Sequence, residues 1–226
     1  MKILIVGYGK MGRLVEMHAP AHGCEAAGII DDAEGWRLFE EGRFDSADIA
    51  VEFSQPDAVR PNVMRLAARG KSIVIGTTGW QHDEPDLREV TGKAGVGVLA
   101  AANFAIGMHV FRGLVEQAAR ACAGLDDVGA WIHETHHSAK KDAPSGTAIA
   151  LEHAMERAGY GRPIDMASTR AGWVPGTHVV GFDGKAETVT LTHTVRDRAV
   201  FAHGALEAAK WLHGRTGWFT LDDMVR

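Results

Sequence analysis

From its N-terminus the chain alternates short, continuous apolar runs with stretches of helical spacing. The runs fall at residues 3–6, 25–30, 49–53, 72–75 and 96–100, bounded by Gly, Ser or Asp. Runs that are continuous suit parallel strands covered on both faces, whereas half-exposed strands alternate. Between them, residues 10–19, 56–69 and 84–94 carry helical spacing. Met11, Leu14 and Val15 share one face, as do Val63, Leu66 and Ala67. Pro61 predicts that the second of these helices starts late or kinks. Strand–helix alternation predicts an α/β fold, a doubly wound parallel sheet with right-handed crossovers.

After Asn103 the rhythm changes. Residues 105–123 read as a long helix with Met108, Phe111, Leu114, Val115 and Ala118 on one side. Val128, Ala130 and Ile132 then alternate as a strand does. Ser145 opens a helix that carries Ile149, Ala150, His153 and Ala154. Residues 179–182 and 185–195 read as a hairpin about Asp183-Gly184, a pair that favours a type I′ turn. Val189, Leu191 and His193 alternate with Thr188, Thr190, Thr192 and Thr194, which fits a sheet with one polar face. Helical spacing returns over 201–213. The expected organisation is one domain from residues 1–104 and 199–226, with an α+β domain, 105–198, inserted in it.

Composition narrows the function. The chain has 226 residues, enough for a proper core, and is 46% hydrophobic and 23% charged, ordinary for a globular protein. A net charge of -5 argues against general nucleic-acid binding, which needs a basic surface. Cys24 and Cys122 each sit in an apolar run and read as two buried thiols in a reducing compartment. The apolar start at Ile3 is too short for a signal segment, and no window approaches the ~18 apolar residues of a membrane span. A cytoplasmic protein with no membrane or nucleic-acid partner is expected.

Gly7-Tyr-Gly9-Lys-Met-Gly12 falls between the first strand and the first helix, where a dinucleotide fingerprint belongs. There Gly7 allows the tight turn, Gly9 the approach of a pyrophosphate, and Gly12 close packing of helix on strand. Asp31, about 20 residues on, ends the second strand, where a carboxylate can bond ribose hydroxyls. Asp31 and Asp32 repel a 2′-phosphate, while Lys10 and Arg13 could pair with one. The balance tips to NADH, with NADPH use open. Gly76, Thr77 and Thr78, and Ala101, Ala102 and Asn103, close the fourth and fifth strands at the carboxyl edge where such sheets bind ligands.

A second motif, Glu134-Thr-His-His-Ser-Ala-Lys-Lys-Asp-Ala-Pro-Ser-Gly-Thr147, gathers imidazoles, ammonium groups and a turn. His133-Glu134-Thr-His-His137 also spells the zinc-protease pattern His-Glu-x-x-His. That pattern needs a helix, and this segment reads as a strand, which puts His133 and His137 roughly 13 Å apart. Anion binding and proton transfer fit better. A histidine titrates near neutrality, a lysine fixes a carboxylate, and Ser145-Gly146-Thr147 starts a helix whose free N–H groups cradle another. The two motifs together point to a nicotinamide-dependent reductase of a small dicarboxylic acid. An amino- or imino-acid dehydrogenase, such as an aspartate dehydrogenase, and a cofactor-sensing binding protein are the alternatives.

The second motif, as Glu-x-His-His-x-x-Lys-x-Asp-Ala-Pro-Ser-Gly-Thr-Ala from Glu134 to Ala148, resembles the hallmark of the dihydrodipicolinate (4-hydroxy-tetrahydrodipicolinate) reductase family of bacterial lysine and diaminopimelate synthesis. Val6 to Arg13, Phe53-Ser54-Gln-Pro56, Gly76 to Gly79, Ala102-Asn-Phe104, Pro175-Gly-Thr-His178 and the stretch from Thr192 to Arg198 agree with it, over essentially the whole chain. The resemblance implies a Rossmann-like sheet with an inserted substrate-binding and oligomerisation domain, in a homotetramer. It implies hydride transfer from NAD(P)H to C4 of a cyclic dicarboxylate after loss of the 4-hydroxyl. His136 becomes the general acid and Lys140 its proton-donating partner. His137, Lys140, Ser145, Gly146 and Thr147 become carboxylate ligands. Gly7, Tyr8, Gly9, Lys10, Met11, Gly12, Asp31, Gly76, Thr77, Thr78, Ala101, Ala102, Asn103 and Phe104 become cofactor contacts. Ser138 and Ala139 stand where some members carry basic or imidazole residues, and Asp32 where some carry a base for the 2′-phosphate.

Overall fold

The computed structural model describes residues 1–225; Arg226, the last position assigned above to the first domain, lies outside them. In chain order the strands are β1 (Lys2–Val6), β2 (Glu25–Ile30), β3 (Ile49–Glu52), β4 (Ser72–Ile75), β5 (Gly97–Ala100), β6 (Gly129–His136), β7 (Ile164–Arg170), β8 (Gly176–Asp183), β9 (Thr188–Val195) and β10 (Gly217–Phe219). The helices are α1 (Lys10–His18), α2 (Ala33–Glu40), α3 (Pro56–Ala68), α4 (Glu84–Ala94), α5 (Ile106–Cys122), α6 (Gly146–Arg157), α7 (Ala199–Leu212) and α8 (Leu221–Val225). Two compact units result: Met1–Ile106 with the chain from Ala199 on, and Gly107–Arg198.

In the first unit six strands form one sheet in the order β10-β5-β4-β3-β1-β2, all pairs parallel. Strand order reverses between β1 and β3, which opens a crevice at their carboxyl ends. The continuous apolar runs are explained by burial on both faces. Ile3, Ile5, Val51, Val74 and Leu99 pack with Ala205, Leu206 and Leu212 of α7. Leu4, Val6, Ala50, Ile73, Ile75 and Val98 pack with Val59, Val63 and Leu66 of α3. Each such side chain contributes about 1.5–3 kcal/mol through burial.

The second unit holds a four-stranded sheet in the order β7-β6-β8-β9; β6 runs parallel to β7 and antiparallel to β8. Arg162 satisfies the open end of α5, donating to the carbonyls of Cys122 at 2.8 Å and Ala123 at 3.1 Å, two of the acceptors a helix C-terminus leaves over.

The structure departs from the sequence-based expectations in four places. The helix containing Pro61 neither starts late nor stops there: it begins at Pro56 and runs through, because proline interrupts only its own bond back to Asp57. The hairpin does not turn on Asp183-Gly184 alone. Asp183 pairs with Thr188, so the connection is the four residues 184–187, closed by Gly184 N–H to Glu187 O at 2.9 Å. Gly184 is not among the glycines of positive φ, which a type I′ turn requires. Helix α2 and the strands β7 and β10, which the apolar pattern did not predict, complete the two sheets and their cover. Cys24 is buried and Cys122 half-buried, both as free thiols. No helix among the described residues is long and apolar enough to cross a membrane.

Candidate functional site

A cleft of about 720 Å³ opens at the carboxyl ends of β1, β2, β3 and β4. The glycine turn forms its floor for steric reasons. Gly7 sits at φ +86°, and a Cβ there would meet the Phe53 carbonyl at 2.3 Å. A Cβ on Gly12 would stand 2.1 Å from the Gly7 carbonyl, so only glycine lets α1 start this close to β1. At Gly9 a Cβ would meet nothing within 4 Å, so this position opens to the solvent side. Gly9 is also the cap of α1 and offers no side-chain hydrogen bond to it. The first N–H groups of the helix are therefore left for a ligand, at the end where the helix dipole favours an anion. This arrangement fits the pyrophosphate of a dinucleotide.

Asp31 lines the same cleft, and its Oδ1 accepts the Tyr8 N–H at 2.7 Å, so it braces the turn from an exposed position. Tyr8 bonds Glu16 through its hydroxyl, and Arg13 stacks 4.9 Å from the Tyr8 ring. Lys10, Met11, Gly76, Thr77 and Thr78 complete the lining expected from the sequence. Asp32 takes another role: it accepts the Gly35 N–H at 2.8 Å and caps α2. Ala101, Ala102, Asn103 and Phe104 lie after β5, beyond this cleft. Phe104 is buried, stacked edge-on at 6.1 Å from Phe53, and Asn103 Oδ1 accepts the Ala105 N–H at 2.8 Å. Trp36, Phe53, Ser54 and Asn62 also line the cleft and were missed as site residues. The aromatic spacing of Trp36 and Phe39 behind an Asp cap could have revealed α2 and, with it, Trp36.

In the second unit β6 alternates, so Ala130, Ile132, Glu134 and His136 point to the buried face while His133 points away. The zinc-protease spelling is thereby split across a strand. Glu134 is fully buried and gathers groups from four segments. Its Oε1 accepts the Ser145 N–H at 2.9 Å, the Ser168 hydroxyl at 2.7 Å and Arg170 Nη2 at 2.7 Å. Its Oε2 faces His136 Nδ1 at 3.3 Å and His178 Nε2 at 3.5 Å. Burial by itself would raise the Glu134 pKa, but the bonds from Ser145, Arg170 and Ser168 outweigh it and hold the carboxyl at about 2. Burial, with the nearby His136, pushes His178 down to about 4. Burial also lowers His136, against the opposing pull of Glu134 and with a further push from Lys140.

His136 thus has Nδ1 facing Oε2 of the Glu134 carboxylate at 3.3 Å, with neither atom in a hydrogen bond, and Nε2 on the other side of the ring. A Cβ on Gly176 would approach Nε2 to 3.1 Å, so glycine keeps that atom uncrowded. Lys140 is paired with Asp142 at 2.8 Å, and this bond holds the Asp142 pKa down. Arg170 Nη2 also donates to the Asp142 carbonyl at 2.5 Å, which ties the loop to the cluster. Ser145 is buried and internally committed: its hydroxyl accepts the Ala148 N–H at 3.2 Å as the cap of α6. Gly146 and Thr147 begin that helix, with amides that no helical carbonyl reaches. His137 lies just past β6 and is half-buried.

Glu134 and His178 stood in family-like stretches without a site role and Arg170 was not noticed, because β6, β7 and β8 bring the three together only in the fold. Glu134, His136 and His178 each offer a ligand atom within 4.8 Å of the others. The Arg170 guanidinium is already bonded to Glu134, so a metal ion there would have to share the carboxylate with it.

Residues 1–104 match the family described as dihydrodipicolinate reductase, N-terminus, and residues 107–225 that described as dihydrodipicolinate reductase, C-terminus. The chain is 34% identical over 247 residues to a 4-hydroxy-tetrahydrodipicolinate reductase of Christiangramia forsetii, covering 100% of this chain and 98% of the relative. It is 35% identical over 228 residues to the protein of that name from Thermosipho africanus, with the same coverage. Among solved structures, the dipicolinate-bound dihydrodipicolinate reductase from Paenisporosarcina sp. TG-14 superposes with a TM-score of 0.78 over 97% of both chains. At 22% identity that likeness speaks for the fold.

Proposed function

The chain belongs to the dihydrodipicolinate reductase family, and on that footing we propose that it reduces 4-hydroxy-tetrahydrodipicolinate to tetrahydrodipicolinate for lysine and diaminopimelate synthesis. The observation that carries the reading is the Glu134–His136 pair, a buried carboxylate on one imidazole nitrogen with the other nitrogen uncrowded. A nicotinamide nucleotide, bound at the glycine turn, supplies the hydride that adds at C4 after the 4-hydroxyl leaves as water.

Hydride addition at C4 of the conjugated imine leaves an enamine, and His136 completes the reduction by delivering a proton from Nε2 to the ring carbon beside C4. The Glu134 charge beside Nδ1 favours the imidazolium, while burial makes it a stronger acid than free imidazole. Lys140 pushes the same way and, once released from Asp142, meets a ring carboxylate. His137 and the amides of Gly146 and Thr147 take the other carboxylate, with Ser145 holding the helix start in place. On the cofactor side Gly7 to Gly12 take the phosphates, Asp31 the adenosine ribose, and Gly76, Thr77 and Thr78 the nicotinamide half. Ala101, Ala102, Asn103 and Phe104 belong to that half through the strand end next to them. Asp31 at the end of β2 favours NADH, and NADPH is accepted through Arg13 and Lys10. The enzyme works in the cytoplasm as a homotetramer joined through the sheets of the second unit.

Steady-state oxidation of NADH and of NADPH, with the freshly generated condensation product of pyruvate and aspartate semialdehyde, tests this. Both nucleotides are consumed, NADH with the higher kcat/KM. Oxidation with oxaloacetate and ammonia, and none with the condensation product, assigns the chain to the amino-acid dehydrogenases instead.

A further inference from the structure

Glu52 occupies a position that packing would give to an apolar residue. It stands in β3 opposite Val6 of β1 and Ile75 of β4, so its side chain leaves the sheet on the same face as theirs. That face is closed by Val59, Val63 and Leu66 of α3, and Glu52 is 0% exposed. Burying a carboxyl there is unfavourable unless its polar atoms find partners, and the partners all come from the cleft. Its Oε1 accepts the Ser54 N–H at 3.2 Å, the Ser54 hydroxyl and Asn62 Nδ2 at 3.3 Å. Asn62 Nδ2 also reaches Ser54 Oγ at 3.1 Å. Thr77 lies close enough to bond the carboxyl. Its Oγ1 and Glu52 Oε2 are both buried without another partner. Ser54, Asn62 and Thr77 line the cleft, with Glu52 behind them.

We propose that Glu52 is a positioning residue for the nucleotide, locking Ser54, Asn62 and Thr77 into the wall that receives the nicotinamide-ribose half. The inference rests on reading the cleft as the nicotinamide-nucleotide site. With Asp31 at the end of β2 marking the adenosine ribose, Ser54 and Thr77, at the ends of β3 and β4, lie on the other side of the glycine turn in strand order.

The groups that face the carboxyl are uncharged: Val6 from β1, Ile75 and Thr77 from β4 and its loop, Ser54 from the β3 loop, and Asn62 with Val59 and Val63 from α3. The charged side chains that line the cleft are Lys10 and Asp31. Burial pushes the Glu52 carboxyl up, against bonds from Ser54, Thr77 and Asn62. As a neutral acid it has one O–H to donate, and Thr77 Oγ1 is the acceptor without another partner. Ionised, as pH rises through that raised value, it loses that donor and sets an anion behind a wall that must receive a phosphate-bearing ligand.

The experiment is a fluorescence titration of the full chain with NADH and with NADPH, from mildly acidic to alkaline pH, for the wild type, E52L and E52Q. E52L weakens nucleotide binding about tenfold, as expected for buried partners left unpaired. E52Q, a neutral amide of the same shape, recovers binding to within about threefold of wild type. Wild-type affinity falls as pH rises through the raised Glu52 pKa and that of E52Q does not, a signature that a merely structural role would not produce. Wild-type-like affinity in E52L, equal weakness in E52Q and E52L, or the same pH dependence in wild type and E52Q each overturns the inference. Should E52L fail to fold, T77V stands in, with weaker binding in support and unchanged binding against. Failure of the wild type itself to bind either nucleotide removes the reading of the cleft, and this inference with it.

Discussion

Along the cleft of the first unit, the groups offered to an anion are mostly backbone amides; around Glu134 in the second unit, they are ionisable side chains. The two buried glutamates differ accordingly. Glu52 has only neutral partners and burial raises its pKa, whereas Glu134 meets Arg170, two further donors and two imidazoles and is held at about 2. Their contributions to stability therefore run in opposite directions with pH. Glu52 stabilises most below the ordinary glutamate range, and that contribution is lost as pH rises through its raised pKa. Glu134 stabilises above 4.5 and loses its contribution as pH falls from there toward about 2. A binding site made of amides needs shape, hence glycine; one made of side chains needs protonation states, hence buried compensation.

The largest effect that would separate the two regions is on chemistry. H136A lowers kcat by about two to four orders of magnitude, the usual range for a lost general acid, while nucleotide affinity stays within about twofold. Unchanged turnover would remove His136 from the proton step. E134Q comes next. Losing the buried negative charge beside His136 reduces kcat about tenfold to hundredfold. Because Glu134 raises the His136 pKa and the acid form is the active one, the limb of the pH–rate profile governed by His136 moves to lower pH. A profile that keeps its wild-type position would separate Glu134 from the proton step.

Acid stability sharpens the contrast by a further step. His178 titrates at about 4 in the fold against 6.5 as a free group, so the unfolded chain takes up its proton first and stability falls as pH drops from 6.5 to about 4. Glu134 extends the loss from 4.5 down to about 2. Each contributes on the order of 3 kcal/mol. Hydrogen exchange followed from pH 7 to about pH 4 shows amides of Gly107–Arg198 losing protection before those of β1, β3 and β4, where Glu52 works the other way. Uniform loss across both units would break the comparison.

The difference also explains what could be read in advance. Backbone demands leave local traces: the glycines of the turn, the continuous runs that became β1 to β5, and Ser145 before α6. Pro61 and Asp183-Gly184 misled because a helix with enough other bonds tolerates one proline, and because β8 and β9 pair as far as Asp183 and Thr188, which leaves a longer connection. The Glu134 cluster left a trace only in part. Glu134 and His136 are two apart on one strand, but Arg170 and His178 arrive through pairing with β7 and β8, and no local period encodes which strands become neighbours. Trp36 was overlooked because the cap of the short helix that carries it, Asp32, read as a charge facing a phosphate.

Asp31 is the exception that refines the comparison, an ionised side chain in a cleft otherwise built from amides and neutral groups, with Lys10 as its one cationic counterpart. Its Oδ1 is committed to the Tyr8 N–H, so D31A removes both a ribose acceptor and a brace of the turn. NADH affinity falls about tenfold, the worth of one charge-assisted bond. NADPH loses less, because the same substitution removes an anion that would face its 2′-phosphate. The ratio of the two dissociation constants moves toward NADPH even as both affinities fall. Equal losses for the two nucleotides would mean that Asp31 serves only to shape the turn, and that cofactor choice is made by Arg13 and Lys10.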